Sequence, residues 1–444
     1  MKRLLLIRQL SFFFVAISLL FFSTTVSFAQ WSQLSPEVVG GTLPERRSLG
    51  MARISEDRII MFGGYDGSNA LGDTWLYEIN ENRWTNLSPA IIGGTLTARL
   101  GMGLVHIDGD QVIMFGGWSP DTGFLGDTWL YDLSDNIWKQ ITPTVVGGTL
   151  SIRSNMSICN IGDGRAIMFG GKSGTNYLNE TWLFEIANNT WTKLTPTVTG
   201  GTLSERQCAG SDYLGDNKIM IFGGSSTIYY NDTWIYDISS NEWTKHSPTY
   251  SGGVLSSMTA TQICRIGENR AALFSGRLSS GSYVNETWLY NLTVSQWSKL
   301  DLAGVNGLPA IRAWAGLLNI SKNKCILFGG SDSSTAYNDT WLLRIPDLGA
   351  DSLQYENLST GVQITWSWNL PADFTGISFF VYKNGQKISS AITQGTQENG
   401  AMVFSYTDEN IVSGTIGKYQ VSEVNSYTGI ETIYPQELVV PYCQ

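Results

Sequence analysis

Histidine is almost missing: the chain holds 2 among 444 residues, His106 and His246. Copper and zinc centres built on convergent imidazoles need more, and the strand pattern below puts one at the end of an inner strand and the other in an outer strand. Runs of basic residues are also absent. With 28 Lys and Arg against 38 Asp and Glu, the formal net charge is −10, which disfavours nucleic acid as a partner because phosphate neutralisation needs clustered cations. No GxSxG, P-loop or HExxH pattern occurs, so the sequence assigns no catalytic residue, no metal and no cofactor. Cysteine is scarce too. Of five, Cys159, Cys208, Cys264 and Cys325 read as small buried hydrophobes, one bridge among them being the alternative, and Cys443 stands next to the C-terminus.

Long apolar runs are confined to one place. Lys2, Arg3 and Arg8 precede the stretch Leu10 to Phe22, and Ser27 and Ala29 supply small residues at the −3 and −1 positions of a cleavage site. Residues 1–29 therefore read as a secretory signal cleaved after Ala29, and the expected location is secreted, periplasmic or cell-surface. Removing three positive charges takes the net charge from −10 to −13. No later stretch is apolar enough to cross a membrane as a helix, so no membrane insertion of the mature chain is expected.

What the sequence has in abundance is repetition. Phe62, Phe115, Phe169, Phe222, Phe274 and Phe328 each stand in FGG or, once, FSG, at spacings of 52 to 54. Trp75, Trp129, Trp182, Trp234, Trp288 and Trp341 each close a DTW or ETW. Trp84, Trp138, Trp191, Trp243 and Trp297 each follow nine residues later, but the sixth member of this series would fall on Ala350. Trp31 lies 53 residues before Trp84, so the missing phrase opens the mature chain. Each repeat reads as four short strands, seen well in RLGMGLVHI, QVIMFGG, DTWLYDL and IWKQIT, with tight turns at DGD and SDN. Four-stranded sheets repeated about every fifty residues are propeller blades. Six periods of 53 counted from Gln30 end at Asp347, which predicts six blades over 30–347. The strand opened by Trp31 would close the ring and remove two exposed sheet edges.

These features resemble the kelch family: an apolar strand ending in Gly-Gly, a spaced aromatic, a later Trp, and an Arg opening the first strand. The Arg stands at 46, 99, 153, 206 and 312, whereas Met258 takes its place in the fifth repeat, which also carries Ser275 for the first Gly. Residues 351–444 break the repeat. Asn384-Gly385 between apolar strands is a hairpin signal, and GVQITWSWNLP with YQVSEVNSYTGIE resembles a fibronectin type III module. The expected fold is all-β: a six-bladed kelch β-propeller closed by its N-terminal strand, then an immunoglobulin-like β-sandwich.

Strand order puts the first and third turns of each repeat on one face, and the second loop and the crossover between repeats on the other. The latter connections are longer, which makes their face the candidate site. Its candidate ligand-binding residues are the loop aromatics Trp118, Phe124, Tyr177, Tyr229 and Tyr283, suited to stack on a sugar or anchor a protein. Alongside them stands the arginine series Arg46, Arg99, Arg153, Arg206 and Arg312, able to hold an anion or else to pair with a neighbour such as Glu45 or Glu205. Asn-x-Thr at 179, 231, 285 and 338 matches the glycosylation pattern, but a hydrogen-bonding role within the loops is expected. The propeller resembles the central domain of galactose oxidase, a kelch-type copper enzyme that also has a C-terminal sandwich, but copper chemistry is not expected, because that site needs two His, two Tyr and a Cys converging near the axis and only His106 and His246 are present. A kelch-type sialic acid epimerase is the alternative enzyme, with an Arg of the series and Glu45 or Glu205 as its acid–base pair. The expected function is an exported binding or adhesion protein holding a glycan or protein ligand.

Overall fold

The computed structural model describes residues 30–267, 269–300, 302 and 307–345, and in the C-terminal part 353–358, 360–368, 377–398, 401–412, 416–425, 431–433 and 438–441. The expected signal (1–29), the junction at 347–351, and Cys443 lie outside the described residues. Every regular element among those described is a strand.

Each repeat forms one antiparallel sheet with its strands in sequence order. In the second repeat these are Gly103–Asp108, Gln111–Ser119, Gly123–Asp132 and Ile137–Ile141. Apolar side chains on both faces fit this arrangement, because each sheet is sandwiched between two others. Ile60 and Phe62 of the first sheet share a core with Met102, Met114, Trp129 and Trp138 of the second. The crossovers, expected as loops, contain a further strand. Thr144–Val146 runs parallel to the outer strand Thr190–Leu194, and Ala90–Ile92 pairs likewise with Ile137–Ile141. The sequence reason is a β-branched pair after Pro, extended enough to cover the outer sheet edge before Gly-Gly turns the chain inward.

Trp31 lies in a strand that joins the sheet of the sixth repeat. Its strand, Gln30–Leu34, pairs antiparallel with Thr340–Arg344, the third strand of the sixth repeat. Each Trp of its series donates from Nε1 to the Thr of the DTW or ETW motif in the preceding sheet: Trp138 to Thr74 at 3.0 Å, Trp243 to Thr181 at 3.0 Å, Trp297 to Thr233 at 3.0 Å. Trp31 donates to Thr287 of the fifth sheet at 3.0 Å, and Trp84 of the first sheet to Thr340 of the sixth at 3.1 Å. The core follows the same circuit: Trp31 and Leu343 pack with Phe274 of the fifth sheet, while Trp75 and Met51 of the first pack with Phe328 and Leu342 of the sixth.

The innermost strands are linked by a cycle of backbone hydrogen bonds. Gly101 N–H donates to Ser48 (2.8 Å), Asn155 to Gly101 (2.7 Å), Cys208 to Asn155 (2.8 Å), Ala260 to Cys208 (2.9 Å), Trp314 to Ala260 (3.1 Å) and Ser48 to Trp314 (2.9 Å). All six residues have φ between +53° and +62°, although only one is glycine. That conformation costs a non-glycine residue roughly 1 kcal/mol or more, so the ring is held by the sheets around it rather than by local preference.

The fifth repeat differs where its sequence does. Ser275 takes the left-handed conformation (φ +60°) of the first Gly elsewhere, and its hydroxyl donates to the Arg312 carbonyl at 2.7 Å. A Cβ at the equivalent Gly63 would approach the Arg99 carbonyl to 2.6 Å, so only a residue able to bond that oxygen tolerates the site. The cysteine expectation needs correction. Cys264, on the inner strand of the fifth sheet, is disulfide-bonded to Cys325, on the second strand of the sixth, whereas Cys159 and Cys208 are free. The two half-cystines sit at different offsets in their repeats but face each other across the gap between sheets, a relation that offset counting hides.

In the C-terminal part, Gln354–Leu358, Gly361–Trp368, Thr396–Glu398 and Ala401–Asp408 form one antiparallel sheet. Ile377–Lys383, Ile416–Asn425 and their shorter neighbours form a second. Val362, Trp366, Phe379, Phe404, Tyr419 and Val421 make a single core cluster. Asn384 and Gly385 both have positive φ and join Lys383 to its cross-strand partner Gln386, the expected two-residue hairpin.

Candidate functional site

The inner strands of all six sheets line a cavity of about 340 Å³. Its neck is the hydrogen-bonded ring from Ser48 to Trp314, at the ends of the inner strands that the crossovers feed. Around this neck stand the hairpins that join the second and third strands.

The aromatic candidates sit at the bases of these hairpins. Phe124, Tyr177, Tyr229 and Tyr283 occupy equivalent positions, each paired across its hairpin with the residue that follows Gly-Gly or Ser-Gly: Trp118, Lys172, Ser225 and Arg277. Trp118, Phe124, Tyr177, Tyr229 and Tyr283 are all half-buried. The structure adds residues that sequence reasoning missed. Lys172 Nζ lies 5.2 Å from the centre of the Tyr177 ring, and the Arg277 guanidinium lies 6.0 Å from that of Tyr283. Arg277 also donates to the Tyr229 hydroxyl at 3.2 Å, while its Nε is buried with no protein partner. Tyr283 in turn lies 6.1 Å from the Trp314 ring, and Arg47 sits between Trp314 (5.6 Å) and Tyr65 (5.2 Å). One continuous band, Tyr229–Arg277–Tyr283–Trp314–Arg47–Tyr65, thus runs over four consecutive sheets.

Arg47, Lys172 and Arg277 have no carboxylate within 4.0 Å among the described residues. In an acidic chain, three uncompensated cations among aromatic rings form a local anion-attracting patch. The signal that would have found them lies in the repeat itself. The residue after the glycine pair runs Tyr65, Trp118, Lys172, Ser225, Arg277, Ser331, varying freely inside a regular frame.

The arginine series behaves differently. Arg46, Arg99, Arg153, Arg206 and Arg312 are at most 1% exposed. Arg46 makes a bidentate pair with Asp73 (2.7 and 2.7 Å) and donates to the Gly63 carbonyl at 2.9 Å. Arg99, Arg206 and Arg312 do the same with Asp127, Asp232 and Asp339, and Arg153 pairs with Glu180 at 2.7 Å. The carboxylate partner is the acid of DTW or ETW, which also accepts from its own Trp, as in Trp75 to Asp73 at 2.6 Å. It is not Glu45 or Glu205, so the acid–base pair named for the epimerase alternative is not assembled. In the fifth repeat, where Met258 replaces the Arg, Glu286 takes Lys299 instead, at 2.5 Å. The Asn-x-Thr asparagines bond loop carbonyls: Asn285 to Pro309 at 3.1 Å and Asn338 to Leu43 at 3.1 Å. His106 lies within the inner strand Gly103–Asp108 and bonds Asn160 at 3.0 Å, whereas His246, in the outer strand Glu242–His246, bonds the Tyr290 hydroxyl at 3.0 Å.

Of the titratable residues that line the cavity, Arg53, His106, Cys159, Cys208 and Asp212, the last two are those of the fourth repeat. Burial pushes the Cys208 thiol up to about 12, keeping it protonated at neutral pH. Asp212 is raised to about 6, again by burial, although it accepts hydrogen bonds from the N–H groups of Arg265 (2.6 Å) and Tyr213 (2.7 Å).

Known proteins share the repeat. Residues 18–146 and 88–269 match the KLHDC2/KLHL20/DRC7 Kelch-repeats domain. The chain is 24% identical over 310 residues to human Kelch domain-containing protein 1, covering 67% of this chain and 66% of that protein. It is similar to Acyl-CoA-binding domain-containing protein 5 of Arabidopsis thaliana (23% over 276 residues, 60% of this chain, 41% of the relative). It is also similar to Tip elongation aberrant protein 1 of Schizosaccharomyces pombe (26% over 392 residues, 84% and 33%). In each case the chain spans less than two thirds of the relative's own length. The matched segments reach from residue 18 to residue 269, over half of the chain, and coincide with the four-stranded repeats; the chain belongs to the kelch-repeat family.

Proposed function

We propose that this is an exported binding protein, a six-bladed kelch propeller closed by its N-terminal strand, whose long-loop face holds a protein or glycan ligand. Kelch repeats generally mediate protein binding, which favours a protein ligand. The observation that carries the reading is the cation–aromatic band from Tyr229 to Tyr65, half-buried and open at the cavity neck. Rigid aromatics supply contact area at small entropic cost, and Arg47, Lys172 and Arg277 select for acidic groups on the partner. The proposed contact residues are Trp118, Phe124, Tyr177, Tyr229 and Tyr283, joined by those three cations; the buried arginine series is left out, its donors being engaged within each sheet. Export rests on the Ala29 cleavage pattern and is supported by the Cys264–Cys325 bridge, since disulfides persist in oxidising compartments. The proposed domains are 1–29 as signal, 30–347 as propeller and 351–444 as a fibronectin type III-like sandwich that spaces or presents the propeller.

The test compares the mature chain with a Tyr177→Ala/Tyr229→Ala/Arg277→Ala variant in crosslinking pull-downs from native secretions and on a glycan array. A ligand held by the parent and lost by the variant supports the reading. Ligands retained equally by both contradict it. N-terminal sequencing of the exported product should begin at Gln30.

A further inference from the structure

The buried arginine series and the rim cations are satisfied very differently. Arg46, Arg99, Arg153, Arg206 and Arg312 spend their donors inside their own sheets. Among the described residues, Arg47 makes one side-chain hydrogen bond, to Ser331 at 3.4 Å, Arg277 makes one, to Tyr229 at 3.2 Å, and Lys172 makes none. All three are half-buried, and Arg277 Nε is buried without a partner. Donors drawn out of water and left without acceptors are costly unless something outside the chain completes them.

Neighbouring side chains do not complete them. Gln207 Oε1 already accepts from Asn155 at 3.2 Å, and the Ser225 and Thr259 hydroxyls bond each other at 3.0 Å. The carboxylates of the nearby hairpin tips are engaged in their own loops. Asp66 accepts from the N–H groups of Ser68 and Asn69 (2.7 and 2.6 Å), and Asp332 from those of Ser334 and Thr335 (2.7 and 2.8 Å). The rim is therefore rich in free donors and poor in free acceptors. Placement adds a second constraint. Arg47–Tyr65, Leu100–Trp118, Ser154–Lys172 and Thr259–Arg277 are bridged pairs at equivalent positions of their repeats. The first, third and fifth sheets thus each present a cation, and the sheets between them present Trp118, Tyr229 and Trp314.

We propose that the rim binds an anionic polysaccharide, a chain of sugar rings bearing sulfate or carboxylate groups, an assignment that rests on the long-loop face being the binding face and names its ligand class. Charged oxygens bring acceptors without donors, which is what unfilled guanidinium and ammonium groups require. The apolar faces of sugar rings lie on the intervening aromatics. A neutral sugar or a peptide backbone brings donors along with its acceptors, and those donors find few free acceptors here. A single-stranded nucleic acid carries a phosphate on every residue, more charge than three cations match in a chain of net charge −10.

The mature chain, with its disulfide intact, is titrated against immobilised heparin, which carries sulfate as well as carboxylate, and polygalacturonate, which carries carboxylate alone. Dextran, polyglutamate and oligo-dT serve as neutral, peptide and nucleic-acid probes. Saturable binding to heparin or polygalacturonate, weakened by added salt, is expected; binding to heparin alone assigns the anion as sulfate, and binding to polygalacturonate shows that carboxylate suffices. Arg47→Gln/Arg277→Gln should weaken it by about tenfold or more, and Lys172→Gln in the same direction. Neither should lower the urea midpoint, because the charges removed have no carboxylate partner. Lys139→Gln/Lys245→Gln removes two exposed charges from outer strands and should leave the affinity unchanged, which separates a local site from general attraction. The proposal is overturned if neither anionic polysaccharide binds saturably, if dextran, polyglutamate or oligo-dT binds as tightly, or if the outer-strand variant loses as much as the rim variants. A protein captured in the pull-down and lost with Arg277, beside no polysaccharide binding, would leave the binding face standing and overturn this ligand class alone.

Discussion

Arg99→Met puts into the second repeat what the fifth has at Met258, and its effect follows from the surroundings of the guanidinium. Arg99 has no exposed surface, donates to the Thr97 and Gly116 carbonyls at 2.9 and 3.0 Å, and holds Asp127 at 2.6 and 2.8 Å. Methionine fills the volume but strands two carbonyls and leaves Asp127, 18% exposed, with only the Trp129 donor at 2.6 Å. Removing one partner of a buried pair costs about 3–5 kcal/mol, most of it the uncompensated charge. The fifth repeat avoids this cost through Lys299, which reaches Glu286; in the second repeat, the equivalent residue is Gln140. Adding Asp127→Asn removes the charge, and the double variant should recover roughly 2 kcal/mol of the loss. Urea unfolding of the oxidised mature chain, followed by tryptophan fluorescence, measures both, and a double-mutant cycle gives the coupling. A loss below about 1 kcal/mol for Arg99→Met, or a double variant no more stable than the single, refutes the assignment of these arginines to architecture.

Two other consequences are open to measurement. Cys264 and Cys325 close a loop of 61 residues, so Cys264→Ala/Cys325→Ala should cost about 4 kcal/mol by loss of chain restraint, read as a lower urea midpoint that reductant reproduces in the parent. For Asp212, whose pKa is raised to about 6, the folded state keeps a proton that the unfolded chain has lost, so its contribution is present below the unfolded value near 3.8 and is lost as pH rises through about 6. Asp212→Asn should therefore gain stability over the parent between pH 4 and pH 7, by on the order of 1–3 kcal/mol; parallel pH profiles would contradict this.

Much of the architecture was legible because repetition multiplies weak signals. One such Trp says little, but Trp84, Trp138, Trp191, Trp243 and Trp297, each nine residues after the Trp of a DTW or ETW, mark the fourth strand of each repeat. The crossover strands were missed because three residues such as Thr144–Val146 are too short to show a period, and their pairing is set by the neighbouring outer strand. The site was half legible. The loop aromatics stand in their hairpins, but Arg47, Lys172 and Arg277 gain meaning only from neighbours in other sheets, far away in sequence. The arginine series, repeated in five blades, pointed toward architecture by that very repetition, and its partner was hidden because Asp73 lies across the sheet from Arg46 rather than beside it. Asp212 stands out only once all six inner strands are laid in register.

The closed ring is the claim on which the neck, the cavity and the rim all depend, and Trp31→Ala tests it most directly. Trp31 is 1% exposed, bonds Thr287 at 3.0 Å and lies 4.6 Å from the Phe274 ring, much as Trp84 does with Thr340 and Phe328. Truncating a buried Trp costs about 3–5 kcal/mol. If the N-terminal strand completes the sixth sheet, Trp31→Ala and Trp84→Ala should destabilise the mature chain equally, within about 1 kcal/mol. A Trp31→Ala variant as stable as the parent, beside a damaged Trp84→Ala, would mean that the ring closes some other way.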